Sequence, residues 1–430
     1  MVDEERWSHD ARVHSNQRGR SVRFTKILLA VLALAVLSLG TLTLTACGSG
    51  GDEGSTAATP TSGATGEPFK IGFLEGFTGF MAVDAALTDQ GIQTALAQLD
   101  NQVLGRPIEY IKADHASDPV VAVDKARQMV ESDKIETMIG PIFSPANAAV
   151  TSQLAKSGGI PSISIYGQPV ENLKTASGLS FIPAGMFSSA GYYTGKYAAE
   201  ELGFKTANCI NYEDTAGRQL QEGFNTGFKE AGGTILSTQY VPIDAVDFSS
   251  YLSTLKGADC TYWWIFGNGA APFVKQYKDY GLTAPLITAM ASNLSEPQLQ
   301  DLGDTAVDLI GGEFYTPQID NPINKAFVDA YRAQWGGEYP PMQAFGAWLA
   351  VNMFAEAVKK TNGDTTPAAL IEAMSTMSLD TPAGPYTMSP YQTAFIGTGN
   401  YYMMKVQKLD GDRLAWVPVF TYEQVLHDQK

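Results

Sequence analysis

The sequence predicts an α/β protein: two doubly wound parallel-sheet lobes joined by a three-strand hinge, with a cleft between the lobes. Three observations carry this expectation. Short apolar runs alternate with helical spacing from Phe69 onward, the alternation restarts at Thr206, and a third stretch of helices and strands begins near Asn321. A length of 430 residues leaves room for two domains.

In the first lobe, Lys70–Leu74 reads as a strand and Val83–Leu99 as a helix by spacing. Ile108–Ala113 is a strand, and Pro119–Ser132 is a helix with Val121, Ala122, Ala126, Met129 and Val130 on its apolar side. Glu136–Gly140 is a strand, Ala146–Lys156 a helix stopped by Gly158-Gly159, and Ile160–Ile165 a strand. The second lobe repeats the scheme. Strands are expected at Thr206–Tyr212, Thr234–Val241, Cys260–Phe266 and Pro285–Ala289, with helices at Gly217–Ala231, Phe248–Lys256 and Ala271–Tyr280 between them. The last stretch holds helices Asn321–Trp335, Met342–Thr361 and Pro367–Met377, then strands Asn400–Gln407 and Leu414–Phe420. Crossings between lobes are expected near 181–184, 313–317 and 382–388. Lobe one then takes 67–182 and 316–383, and lobe two 183–315 and 384–430. Ligands bind such sheets at the carboxyl ends of their strands, so the loops after Leu74, Gly140, Ile165, Tyr212, Phe266 and Ala289 are where a site is expected.

Residues 1–46 are read apart from the fold. Arg18, Arg20, Arg23 and Lys26 precede a long uncharged apolar stretch closing on Leu44-Thr45-Ala46-Cys47, the order of an export signal. Leu-x-Ala-Cys resembles the bacterial lipobox, which implies lipidation of Cys47 and a mature chain held on the outer face of the cytoplasmic membrane. Ile27–Ala46 is also long enough to span a bilayer, and a retained anchor is the alternative. Both readings put the folded part outside the cytoplasm. Residues 47–66, rich in Gly, Ser, Thr, Ala and Pro, read as a flexible tether.

Residues 1–46 carry six basic and four acidic side chains, so the net charge of −16 becomes −18 for the remainder. That charge repels phosphate backbones and disfavours nucleic acid as a partner. Beyond Cys47 only Cys209 and Cys260 remain, with His115 and His427 as the histidines; no metal site or cofactor is expected. The two cysteines sit in apolar strand runs and are expected as buried free thiols, with a disulfide between them as the alternative that export allows. Enzyme readings find no Gly-x-Ser-x-Gly elbow, no phosphate-cradling loop and almost no histidine for base catalysis.

Five fragments stand in order: Lys70-Ile-Gly-Phe-Leu-Glu-Gly-Phe-Thr-Gly79, Gly91, Leu104-Gly105-Arg106-Pro107, Asp114-x-x-Ser117-Asp118-Pro119, and Ile139-Gly140-Pro141-Ile142-Phe143-Ser144. This succession resembles the type I periplasmic solute-binding proteins of ABC importers, in the leucine/isoleucine/valine-binding branch, over about residues 67–420. The resemblance implies hinge closure on one small solute and delivery to membrane permease and ATPase subunits by a monomer. It also implies that Ser144 meets a ligand carboxylate. By its own chemistry Ser144 reads as an N-cap before Pro145, aiming the following helix's N–H groups at the cleft.

Ile142 and Phe143 flank Ser144. In the loop Tyr166-Gly167-Gln168 the family commonly places a hydroxyl; here Gln168 stands near that position, with its amide as a donor. Tyr166 either walls the pocket or packs beneath it. In lobe two, Tyr212 and Asp214 head the loop in which Ala216 replaces the family's usual aromatic residue, and Asp214 reads either as an ammonium partner or as a helix cap. Asn268 offers both donor and acceptor. Met290 stands where amino-acid binders often carry an acid, so either Asp214 supplies that charge or the ligand has no amine. Phe77 and Phe80 join Phe143 at the first-lobe rim. A branched-chain or related amino acid is the first reading of the ligand. An aromatic or other non-amino carboxylate, and a sensing module for a receptor, remain as alternatives.

Overall fold

The structure is a computed structural model and describes residues 65–425 apart from Asp244 and Lys256. The expected export signal, Cys47 and the tether before residue 65 lie outside the described residues.

The chain opens with β1 (Phe69–Glu75), α1 (Ala82–Gln98), β2 (Gln102–Val103), β3 (Arg106–Asp114), α2 (Pro119–Gln128), β4 (Thr137–Ile139), α3 (Ser144–Leu154), β5 (Ser162–Ile163), α4 (Val170–Leu173) and β6 (Ser180–Ile182). Strands β3-β1-β4-β5-β6 lie side by side in that order, all parallel. Helices cover both faces, so β1 is buried along its length except at Lys70 and reads as an apolar run rather than an alternation. Asp118 caps α2 by accepting from the Val120 and Val121 N–H groups, with Pro119 at the first helical position. The regular helix ends before the expected Ser132, in a π-helical turn at Met129–Asp133 closed by left-handed Lys134.

The second half runs α5 (Phe187–Glu200), β7 (Thr206–Tyr212), α6 (Thr215–Glu230), β8 (Thr234–Val241), α7 (Ser249–Leu252), β9 (Cys260–Trp264), α8 (Ala270–Asp279), β10 (Leu286–Thr288), α9 (Glu296–Leu302) and β11 (Ile310–Glu313). Its strand order, β8-β7-β9-β10-β11, repeats that of the first half, again parallel. The expected doubling of one architecture is therefore present. Helices α5 and α6 meet backbone to backbone: a Cβ on Gly223 would lie 2.0 Å from the Ser188 carbonyl oxygen, and one on Gly227 2.0 Å from that of Tyr192. Cys209 and Cys260 are buried free thiols; burial pushes Cys209 up to about 12 and Cys260 higher still.

Helices α10 (Pro322–Gln334) and α11 (Met342–Lys360) return to pack on α1, followed by α12 (Pro367–Ser375), β12 (Ser378–Thr381), β13 (Gly384–Tyr391), β14 (Ala394–Lys408) and β15 (Leu414–Val425). The sequence places a crossing at 382–388 and the chain after 383 in the second lobe. Instead β12 and β13 form a hairpin around Pro382-Ala383, and β13 pairs with the start of β14, whose Phe395 and Ile396 pair with β6. The passage to the second half comes later, between Thr398 and Tyr402, where β14 joins β11 antiparallel. A turn that sends the strand back on itself has the same Pro and Gly signals as a crossing, which is why the two are confused in sequence.

Candidate ligand-binding site

In each half the strand order reverses direction beside the first strand, between β1 and β4 and between β7 and β9. The loops at the carboxyl ends of these strands are the expected ligand positions. The loop after β4 carries Ile142, Phe143 and Ser144 directly into α3. Glu75, the last residue of β1 and fully buried, holds that loop in place. Its Oε2 accepts from the Ile142 N–H at 2.6 Å, and its Oε1 accepts from the Gly76 N–H at 3.1 Å and lies 3.1 Å from His115 Nε2.

Ser144 is not the cap that its sequence context predicts. Phe143 occupies the N-cap with extended backbone, and Ser144 and Pro145 are the first helical residues. The helix starts one residue early, so the hydroxyl is not spent on capping. No hydrogen bond of that hydroxyl is present among the described residues, whereas the Ser144 carbonyl accepts from Asn172 Nδ2 at 2.9 Å. The free N–H groups and positive dipole end of α3 stand beside it.

Gln168 departs from its expected role. It is fully buried, and its amide donates to the Ile142 carbonyl at 3.3 Å and to Ser164 Oγ at 3.1 Å, while its oxygen accepts from Asn172 Nδ2 at 3.0 Å. Both hydrogens are committed to tying the β4 and β5 loops together. Gly167 lies against Phe187, where a Cβ would sit 3.3 Å from the ring. The rim aromatics also divide. Phe80, 66 % exposed, meets Phe143 edge-on at 5.1 Å, but Phe77 turns the other way, against Phe73 and beneath the Lys112 ammonium.

In the second half, Asp214 caps α6 through a 2.6 Å bond to the Gly217 N–H. Burial raises its pKa, opposed by that bond and by the Trp264 indole. Tyr212 is buried and donates to the Ala245 carbonyl at 2.9 Å, with its ring edge-on to Phe266. Asn268 is exposed in the short turn Gly267–Gly269, and Met290 is buried in the core.

The carboxyl-end loops of the two halves touch. Glu171 on α4 accepts from Gln219 on α6. The Tyr166 hydroxyl reaches Ser292, after β10, at 2.5 Å, and Ser292 Oγ donates onward to Glu313 Oε2 at 2.7 Å. Glu313, at the end of β11, is buried, and desolvation pushes its carboxyl up to about 7. A chain of rings, Tyr166–Phe187–Trp264–Phe266–Tyr212, continues from this point along the second half, with centroids 5.2–6.3 Å apart. Glu313, Ser292, Phe187, Trp264 and the Glu75–His115 pair were not singled out from sequence. A carboxylate closing an otherwise apolar strand, as in Glu75 and Glu313, was the available signal. Two surface pockets, of about 330 and 310 Å³, lie away from these loops, one near Asn208 and Tyr277 and one near Asn321 and Asp380.

A periplasmic binding protein family matches residues 68–412, nearly the whole described body. The chain belongs to that family. This periplasmic binding protein is 25 % identical over 376 residues to the Leu/Ile/Val-binding protein homolog 6 of Brucella melitensis, covering 84 % of this chain and 94 % of that one. Among solved structures it resembles an ABC transporter substrate-binding protein from Sphaerobacter thermophilus, with TM-score 0.78 and 27 % identity over 83 % of this chain and 98 % of that chain. A solute-binding protein of Rhodopseudomonas palustris in complex with 3,4-dihydroxybenzoic acid matches at TM-score 0.77 and 24 % identity, covering 84 % and 98 %. The LivJ protein of Streptococcus pneumoniae in complex with isoleucine matches at 0.71 and 22 %, covering 82 % and 99 %. The fold is that of a type I periplasmic binding protein, as the motif succession implied.

Proposed function

We propose that this chain is the substrate-binding lipoprotein of an ABC importer, anchored through Cys47 and working as a monomer. It captures a small apolar carboxylate, a branched-chain or related amino acid, by hinge closure and delivers it to its permease. Lobe one comprises 67–182 with the returning helices, the β12–β13 hairpin and the start of β14, lobe two 183–315 with the rest of β14 and β15, and the chain crosses three times between them. The observation that carries the reading is the unspent Ser144 hydroxyl at the start of α3, within a loop locked by Glu75 and Gln168. A preorganised hydroxyl and a helix N-terminus suit a carboxylate.

Charge favours an amino acid over a simple acid. Glu75, Asp84, Asp214 and Glu313 all stand at the carboxyl-end loops or the helix starts beside them, with His115 the one basic group bonded to any of them among the described residues. Such a gap repels a lone anion and accepts a zwitterion more readily. The ring chain ending at Tyr212 supports a second reading, an aromatic carboxylate of the kind seen in the Rhodopseudomonas protein.

Calorimetry of the purified chain against leucine, isoleucine, valine, phenylalanine, benzoate and 4-hydroxybenzoate decides between them. A 1:1 complex with an aliphatic amino acid is expected. Tight binding of a benzoate alone overturns the amino-acid reading, and binding no tighter than about 1 mM throughout overturns the carboxylate reading.

A further inference from the structure

We infer that the Tyr166 hydroxyl, oriented by Ser292 and Glu313, is the acceptor that tells an amine-bearing ligand from its des-amino counterpart. This inference rests on the amino-acid reading above and supplies the partner for the ammonium group that the Met290 loop lacks.

The direction of the hydrogen bonds carries the argument. Glu313 Oε1 accepts from the Phe314 N–H at 3.0 Å, and Oε2 accepts from Ser292 Oγ at 2.7 Å and Ser292 N–H at 3.4 Å. A serine hydroxyl has a single hydrogen. With Glu313 ionised, as it is at pH 8, Ser292 spends that hydrogen on Glu313, so its oxygen receives the hydrogen of Tyr166. The phenolic oxygen then keeps only lone pairs for a further partner. An ammonium group meets an acceptor there, and an uncharged alkyl group leaves that acceptor unpaired.

Position agrees with this. Tyr166 follows β5, next to β4 in the sheet, and the Ser144 loop follows β4. Adjacent parallel strands lie about 4.8 Å apart, so the two loops leave neighbouring strands at the same edge of the sheet. Gln168 and Asn172 tie these loops together, so the spacing is preset. The groups facing Glu313 are hydroxyls and backbone: Tyr166, Ser292, Tyr386, Tyr401 and the Phe314 N–H. Among the described residues no cation pairs with it, and a ligand ammonium would supply the missing positive charge through the relay. Tyr166 touches the ligand; Ser292 and Glu313 are positioning residues.

The test is calorimetry with leucine and 4-methylpentanoate, which differ only in the amine, on the wild-type chain and on Tyr166→Phe, Glu313→Gln and Asp214→Asn. The wild type is expected to prefer leucine by about 100-fold or more. Tyr166→Phe and Glu313→Gln should each cut that preference by about tenfold, through weaker leucine binding without a matching loss for 4-methylpentanoate. An unchanged preference in Tyr166→Phe overturns the inference. So does equal weakening of both ligands, which would make Tyr166 a closure contact only, or loss of the preference in Asp214→Asn instead. A wild-type chain that binds leucine no better than 4-methylpentanoate overturns the amino-acid reading itself, and this inference with it.

Discussion

The Tyr339 ring, in the loop between α10 and α11, stacks on Arg413, in the turn between β14 and β15, with the guanidinium carbon 3.9 Å from the ring centroid. Arg332 covers the ring at 4.4 Å, and Arg413 is itself held by Glu296 at 2.5 Å. The α10–α11 loop belongs with the helices that pack on α1, and the β14–β15 turn with the second half of the sheet. The stack therefore joins the two halves. On the hinge-closing reading proposed above, this contact belongs to the closed form and its energy adds to ligand affinity. Arg413→Ala should weaken ligand binding by about 0.5–1 kcal/mol, the worth of an exposed cation–π contact. Calorimetry on the variant and on Tyr339→Leu checks this; both should show the same loss, since each removes the same stack.

Ser144→Ala should cost about 1.5–3 kcal/mol of binding, as expected for a hydroxyl donating to a charged carboxylate. The structure sharpens this expectation because the hydroxyl does not cap α3. Thermal stability without ligand should hardly move. A large drop in unliganded stability with little change in affinity would mark Ser144 as structural.

Removing the Glu75 carboxylate leaves the Ile142 N–H and the fully buried His115 ring without that partner. Glu75→Ala should destabilise the chain by about 2–4 kcal/mol in urea titrations. Glu75→Gln, which keeps an acceptor oxygen for the Ile142 N–H, should lose less.

The repeated strand order and most helices were legible because apolar period and turn residues are local. Ser144 and Gln168 were misread for different reasons. Sequence allows Phe143 or Ser144 as the cap, and only the backbone path decides. The side-chain chemistry of Gln168 permits ligand contact, but Ser164, Asn172 and the Ile142 carbonyl, brought together by the fold, use it up. Glu313 shows the deeper limit. It looked like part of a crossing, and its meaning depends on Tyr166 and Ser292, which are distant in sequence and meet only across the two halves.

Helices α5 and α6 approach so closely that Gly223 and Gly227 face carbonyl oxygens of the opposing backbone. Backbone, unlike a side chain, cannot swing aside. Gly227→Ala should force the helices apart and cost about 1–3 kcal/mol, read as a lower midpoint in urea with an unchanged slope. Because Gly227 stands near the C-terminal end of α6, about 18 Å along the helix from Thr215 at the site, ligand affinity at temperatures where the chain stays folded should be preserved.

Glu313 makes stability depend on pH with a definite sign. Its ordinary carboxyl value is 4.5, and burial pushes it up to about 7 in the folded chain. Between these values the folded state holds a proton that the unfolded state releases, so stability falls as pH rises from 4.5 to 7 and then levels off. One pKa unit is about 1.4 kcal/mol, which puts the total near 3 kcal/mol. Glu313→Gln keeps an acceptor for Ser292 but cannot ionise. Its stability relative to wild type should therefore rise across that window, by about 3 kcal/mol between pH 4.5 and 8. Urea titrations at a series of pH values measure the difference directly. A constant gap between the two chains would mean that Glu313 is ionised throughout, with its charge already met by the Ser292 and Phe314 donors.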